Sequence, residues 1–171
     1  MPNIVKVNTA GKDVSIVDRA YLAGFLDADG AIMAVIERHH EKRYGYRVRV
    51  CVKISQKTRL ILDLFQSKLQ IGHVKRNRTT YDWEIRDQVH VQQFITLLLP
   101  YLHVKKPQAI RALKIGSMRI KRFEDLKRRA RSADALAKLN VRSKNRRKNF
   151  AMHLETPPVT TDSLSLPVSW R

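Results

Sequence analysis

The clearest pattern in the chain is a strict alternation from Arg47 to Ser55. Val48, Val50, Val52 and Ile54 are apolar, and Arg47, Arg49, Cys51, Lys53 and Ser55 stand between them. Period two predicts a strand with one apolar face and one cationic or polar face. Ala31 to Arg38 predicts the strand before it, joined through a charged run and Tyr44-Gly45. A second strand pair is expected at His73 to Arg78 and Thr80 to Arg86, where Tyr81, Trp83 and Ile85 alternate with Thr80, Asp82, Glu84 and Arg86. Helical spacing fills the gaps. Ser15 reads as an N-cap with Asp18 three residues on, so a helix is expected from Ile16 to Leu26, ended by a turn at Asp27-Ala28-Asp29-Gly30. Thr58 to Leu69 predicts another, with Ile61, Leu64, Phe65 and Leu69 on one face. Further helices are expected from Gln88 to Leu99, from near Pro107, and from Lys121 to Leu139, the last with Phe123, Leu126, Ala130, Ala133 and Ala137 on one face.

The order α-β-β-α-β-β-α, then more helices, predicts an α+β fold. Two hairpins would form one antiparallel sheet, curved like a saddle, with helices on one face. The open face is cationic in the second strand, which suits the DNA major groove. Residues 1–14 read as an arm and 15–140 as the folded domain. Residues 141–171 read as a tail, basic and then rich in Pro, Ser and Thr.

Composition sharpens the partner. Lys plus Arg number 34 against 15 Asp plus Glu, a formal net charge of +19. Such an excess repels itself unless a polyanion neutralises it, and nucleic acid is the first choice. An anionic membrane would need a basic amphipathic helix or an anchor. No apolar run approaches a membrane span, and Met1 to Lys12 has no apolar signal core. The single cysteine, Cys51, leaves no internal disulfide and no cysteine-based zinc site. The expectation is a protein that is not secreted and has no membrane partner, working in a prokaryotic cytoplasm or an organelle interior.

The candidate chemistry lies in Leu22-Ala23-Gly24-Phe25-Leu26-Asp27-Ala28-Asp29-Gly30. Ala20, Ala23 and Gly24 are small residues at helical spacing, and small residues let two helices approach closely. Acids at the end of such a helix would meet acids from a second one. The chain has one copy of the string, so a pair of chains is needed. A calcium loop is excluded. Counted from Asp27, its sixth position would be Ile32 rather than glycine, and its twelfth Arg38 rather than glutamate. His39-His40 lacks a third ligand and reads as loop near DNA.

This string resembles the signature of the LAGLIDADG homing endonucleases, departing only by Phe25 for Leu and Leu26 for Ile. The similarity extends through Ser55-Gln56-Lys57-Thr58 and Pro100-Tyr101-Leu102-His103-Val104-Lys105-Lys106, and covers about residues 16–149. The resemblance implies a homodimer with paired motif helices, with Ala20, Ala23, Gly24 and Asp27 at the interface. It implies Asp29 as the main metal ligand and the Ala28 carbonyl as co-ligand. Oxygen donors suit Mg²⁺, with Mn²⁺ or Ca²⁺ able to replace it for binding. It also implies Gln56 and Lys105 at the edge of the catalytic site, orienting water and supporting charge.

Double-stranded DNA is then the expected partner. By alternation the groove-facing residues are Met33, Val35, Glu37 and His39, then Arg47, Arg49, Cys51, Lys53 and Ser55. His73, Lys75 and Asn77 follow, then Thr80, Asp82 and Glu84. The cations suit guanine, and the acids would accept from cytosine amines or position their neighbours. Arg142, Lys144, Arg146, Arg147 and Lys148 would contact the DNA backbone. The implied function is a site-specific, intron-encoded endonuclease that breaks both strands of a long, roughly palindromic target. The alternative is a LAGLIDADG protein that binds without cutting, such as a splicing factor (maturase) or a regulator, and RNA is a partner only in that case. A third reading, a small ribosome-associated RNA-binding protein, explains the charge but not the motif.

Overall fold

The computed structural model describes residues 14–140 and Leu154. The first helix, α1, spans Ile16–Asp29, and Ser15 caps it as expected. The Ser15 hydroxyl oxygen accepts the Asp18 N–H at 3.1 Å. The helix does not stop at Leu26. Asp27, Ala28 and Asp29 form its last turn, and Gly30 follows in extended backbone at φ −89. Gly30 is needed for space rather than for a left-handed turn. A Cβ there would meet Leu26 Cδ1 at 2.4 Å and the Leu26 carbonyl oxygen at 2.8 Å.

Strands β1 (Gly30–Arg38) and β2 (Tyr46–Gln56) form the first hairpin, and β3 (His73–Asn77) and β4 (Thr80–Ile85) the second. All pairs are antiparallel, in the order β1-β2-β4-β3. The helix between the hairpins is α2 (Leu60–Leu69). After β4 come α3 (Gln88–Leu98), a single 3-10 turn (Leu99–Tyr101), α4 (Lys106–Ser117) and α5 (Phe123–Leu139). The α+β prediction holds, including the helices added after the αββαββα core.

Strands β2 and β4 pair only from Val52 onward. Above that point the Gln88 amide takes the place of a neighbouring strand. It accepts the Val50 N–H at 3.1 Å and donates to the Val50 carbonyl at 2.8 Å. Backbone polar groups beside a core must be paired, and one side chain meets both demands.

The core lies between the inner sheet face and the helices. Ile32, Val48, Val50, Val52, Ile54, Trp83 and Ile85 come from the sheet. Leu22, Ala23, Leu26, Leu62, Phe65, Phe94 and Ile95 come from α1, α2 and α3. The Trp83 indole N–H donates to the Ile71 carbonyl at 3.0 Å, so its burial leaves no donor unpaired. Two helix faces differ from expectation. On α2, Leu62 is in the core and Leu64 is 44% exposed; on α5, Leu136 is buried and Ala137 is exposed. Leu154, in the stretch expected to be a tail, is buried in this core. Among the described residues, no helix is long and apolar enough to cross a membrane.

Candidate functional site

The end of α1 carries two carboxylates pointing in different directions. Residues two apart on a helix diverge by roughly 200°. Asp27 turns inward to the start of α4, where it accepts the backbone N–H groups of His103 (2.8 Å), Val104 (3.2 Å) and Lys105 (2.8 Å). The N-cap of α4, Lys105, makes no side-chain cap of its own, so Asp27 caps α4 from another helix. Burial pushes the Asp27 carboxyl up, but the three N–H donors and the Lys105 charge outweigh it and hold it below the usual carboxylate range. Lys105 is buried, and its ammonium donates to the Asp27 carbonyl. A cation at a helix N-terminus is unfavourable, but this amine lies at the C-terminal end of α1, where the dipole is negative.

Asp29 faces the other way, exposed, and its Oδ2 accepts the Gln56 amide N–H at 2.7 Å. Gln56 is the last residue of β2, so the end of a helix and the end of a strand meet here. Beside them is a cavity of about 380 Å³ whose lining includes Ala28, Asp29, Ser55, Lys105, Gln108 and Asn140. Asp29, Gln56 and Lys105, 76 residues apart at the extremes of sequence, are therefore gathered at one place. Among the described residues, no group of three or more His, Cys, Asp and Glu gathers to hold a metal. One chain offers Asp29 and the Ala28 carbonyl, one of the last four carbonyls that helix geometry leaves without an intrahelical partner. That hard oxygen pair suits Mg²⁺ or Ca²⁺ and would fill about a third of the shell, with the rest to come from outside the chain.

The outer face of α1 is bare. Val17 is 77% exposed and Tyr21 50%, and Ala20, Gly24 and Ala28 are exposed along the same stripe. A groove of about 450 Å³ runs over Ala20, Tyr21, Gly24, Phe25, Ala28 and Asp29. Among the described residues, a Cβ built on Gly24 meets nothing within 4 Å. Leu60 and Leu64 of α2 are also exposed, at 82% and 44%. Two interface expectations change. Ala23 is fully buried against its own core with Leu22 and Leu26, and Asp27 is engaged with α4, so neither lies on the bare face.

The sheet face away from the helices carries the expected groove-facing residues. Cross-strand partners share a face, and the register sets Glu37 opposite Arg47, Val35 opposite Arg49 and Met33 opposite Cys51. Likewise Lys53 and His73 face Glu84, Ser55 and Lys75 face Asp82, and Asn77 faces Thr80. His39 lies just past β1, its N–H bonded to the Gly45 carbonyl in the turn. The cations are not loose. Arg47 and Arg49 bind Glu37 at 2.6 and 3.2 Å, Lys53 binds Asp82 at 3.3 Å, and Lys75 and Arg86 bind Glu84 at 2.6 and 2.7 Å. Asp82 also accepts from Ser55 Oγ at 2.6 Å and Asn77 Nδ2 at 2.8 Å. These five cations and three acids sum to +2, so this network supplies little of the +19.

Cys51 and Asp82 are corrected as direct DNA contacts: at 4% and 2% exposed, they lie beneath their neighbours' side chains. Burial pushes the Cys51 thiol up.

A family model described as LAGLIDADG endonuclease matches residues 22–115. The chain belongs to the LAGLIDADG endonuclease family. DNA endonuclease I-CreI of Chlamydomonas reinhardtii is 32% identical over 97 residues, which is 56% of this chain and 60% of that protein. DNA endonuclease I-CvuI of Chlorella vulgaris is 38% identical over 100 residues, 56% of this chain and 62% of that protein. The chain thus spans about 60% of the length of the curated relatives it matches. The solved structure of I-CvuI, in complex with the I-CreI target in the presence of magnesium and with the DNA not cleaved, has a TM-score of 0.73 and 32% identity. It covers 81% of this chain and 90% of that one.

Within the LAGLIDADG string, the sequence thus locates the acids and the small residues, and folding sorts them by face. Three residues at these sites escape the sequence reading. Arg86 continues the β4 alternation by one step, and that signal is present. Tyr21 shares helical spacing with Val17 and Gly24, which marks an apolar stripe without saying what covers it, and Gln108 has no signal, because only folding brings it to the cavity. Arg142, Lys144, Arg146, Arg147 and Lys148 lie outside the described residues.

Proposed function

We propose that this chain is a site-specific endonuclease that acts as a homodimer on double-stranded DNA and hydrolyses phosphodiesters with Mg²⁺. The observation that carries this is Asp29: an exposed carboxylate at the end of a bare helix face, bonded to Gln56 and beside a cavity lined by Lys105. A second copy packed on the Ala20–Gly24–Ala28 stripe would bring a second Asp29 to the first and complete the oxygen set. The relatives support the same reading, since I-CvuI has been studied on DNA targets with magnesium and with calcium. Residues 15–140 form the nuclease domain of this reading and take Leu154 into their core, with residues 1–14 as an arm and the rest of 141–171 as a tail.

Asp29 and the Ala28 carbonyl would hold the ion. Bound Mg²⁺ lowers the pKa of water and offsets charge on the phosphate. Gln56 fixes the Asp29 carboxylate through its N–H and leaves its amide oxygen to accept from a water. Lys105, anchored by Asp27, puts a positive charge in the cavity wall where negative charge grows on the phosphate. The sheet face reads bases and the outlying cations hold the backbone.

The test begins with selection of bound sequences from a pool of randomised duplexes. The selected duplex is then incubated with Mg²⁺ and with Ca²⁺. Cleavage of both strands in Mg²⁺ is expected. Tight, selective binding without cleavage in Mg²⁺ or Mn²⁺ would make the chain a binding protein instead.

A further inference from the structure

Glu37 is one of three acids set among the cations of the open sheet face. Its Oε1 accepts from Arg47 Nε at 2.8 Å and lies 2.6 Å from an Arg47 terminal nitrogen, while its Oε2 accepts from Arg49 at 3.2 Å. Arg47 stands directly opposite Glu37 in the β1–β2 register, and Arg49 is diagonal to it on the same face. One carboxylate therefore bridges two guanidiniums. The side chains are 29%, 35% and 20% exposed, deep enough to weaken solvent screening and open enough to meet a ligand. Asp82 and Glu84, the other two bridging acids on this face, have side chains only 3% and 10% exposed, so Glu37 is the most open of the three to such a ligand.

We propose that Glu37 is a specificity-determining residue that holds Arg47 and Arg49 as an oriented pair, so that they engage a guanine edge in preference to a backbone phosphate. The inference rests on the reading that this sheet face binds DNA. A guanidinium has five N–H donors in a fixed fork, and Glu37 uses only some of each. The rest can bind guanine O6 and N7 with the carboxylate still in place. A phosphate is different. It brings its own negative charge against Glu37 and must displace a tethered competitor at high effective concentration. Glu37 thus lowers binding to arbitrary DNA more than binding to the preferred site, which is specificity by penalising the wrong ligand. It also fixes two long side chains before DNA arrives, reducing the ordering cost of the correct complex.

The experiment compares full-length protein with Glu37→Gln and Glu37→Ala. Each is measured on one scrambled duplex over a salt series and by selection from a pool of randomised duplexes. Both variants should bind the scrambled duplex roughly tenfold more tightly, with the salt slope steeper by about 0.9 for each guanidinium that gains a phosphate. Selected sequences should lose guanine preference at the positions the two arginines read and keep it elsewhere. Glu37→Gln, which keeps an acceptor, should retain more preference than Glu37→Ala. Unchanged slope and unchanged preference would overturn the proposal. Equal weakening on both kinds of DNA would also overturn it, making Glu37 a direct contact. Wild-type protein that enriches no sequence would remove the DNA-reading face itself, an outcome distinct from failure of the Glu37 role alone.

Discussion

Asp27 and Asp29 are separated by one alanine, and the sequence presents them as a pair. Folding separates their roles. Asp27 closes the N-terminus of α4 through backbone groups that begin 76 residues further on, at His103, whereas Asp29 meets Gln56 at an open cavity. The motif located both acids but placed Asp27 at the interface, because its real partners are backbone groups that carry no sequence signal. Asp29→Asn should reduce cleavage roughly a thousandfold or more while leaving DNA affinity nearly intact, since it removes a metal ligand and eases repulsion with phosphate. Gln56→Ala and Lys105→Ala should each be slower by roughly ten- to a thousandfold in single-turnover cleavage. Asp82 makes a stability prediction. Burial pushes its carboxyl up, but Ser55, Asn77 and Lys53 hold it below its ordinary value. A lowered folded pKa means its stabilisation is full above the unfolded value of about 3.9 and is lost as pH falls through the folded one. Asp82→Asn should cost about 1–3 kcal/mol at neutral pH. The gap in melting temperature from wild type should narrow below about pH 4. Parallel melting curves down to strong acid would contradict this.

At the scale of elements, α1 has two apolar faces and only one of them is used inside the chain. Leu22, Ala23 and Leu26 enter the core, and Val17, Tyr21 and Gly24 do not. Periodicity marks such faces as apolar without saying what covers them. The same ambiguity misplaced Leu64 on α2, where the run Leu60-Ile61-Leu62 and Leu64-Phe65 offers more than one apolar face. The strands were easier to read, because alternation has only two sides and one was charged. Gly24 separates folding from assembly. Its Cβ position is empty within the protomer, so Gly24→Leu should leave the folded monomer intact and gain helix propensity. It should weaken dimerisation roughly a hundredfold or more, because the overpacking occurs twice across a symmetric contact. Sedimentation together with melting of the variant tests both halves. A variant that still dimerises at wild-type concentration would move the interface away from this stripe.

Across the whole molecule, the proposed base-reading face holds little of the net charge. Its ion-paired network sums to only +2, against +19 for the chain. Alternation in β2 marked the open face as cationic and placed Glu37, Asp82 and Glu84 on it, but which cation each acid holds is invisible until the register is known. Arg142, Lys144, Arg146, Arg147 and Lys148 are candidates for backbone attraction. Deleting everything after Asn140 would also remove Leu154, a core side chain, and would confuse binding with folding. Changing those five cations to glutamine is the cleaner test. Affinity should fall alike on target and scrambled duplexes, and the salt slope should flatten by about 0.9 for each phosphate that the variant no longer neutralises. A shift in preferred sequence would mean that the segment reads bases.

If two copies of the chain each supply an Asp29 to the site that cuts the DNA selected by the sheet face, removing that carboxylate must stop cleavage and spare binding. Wild type and Asp29→Asn are compared on one selected duplex, with affinity measured in Ca²⁺ and single-turnover cleavage in Mg²⁺. Matching affinities are expected, with cleavage of both strands by the wild type and of neither by the variant. Cleavage by Asp29→Asn within tenfold of wild type would contradict that role for Asp29.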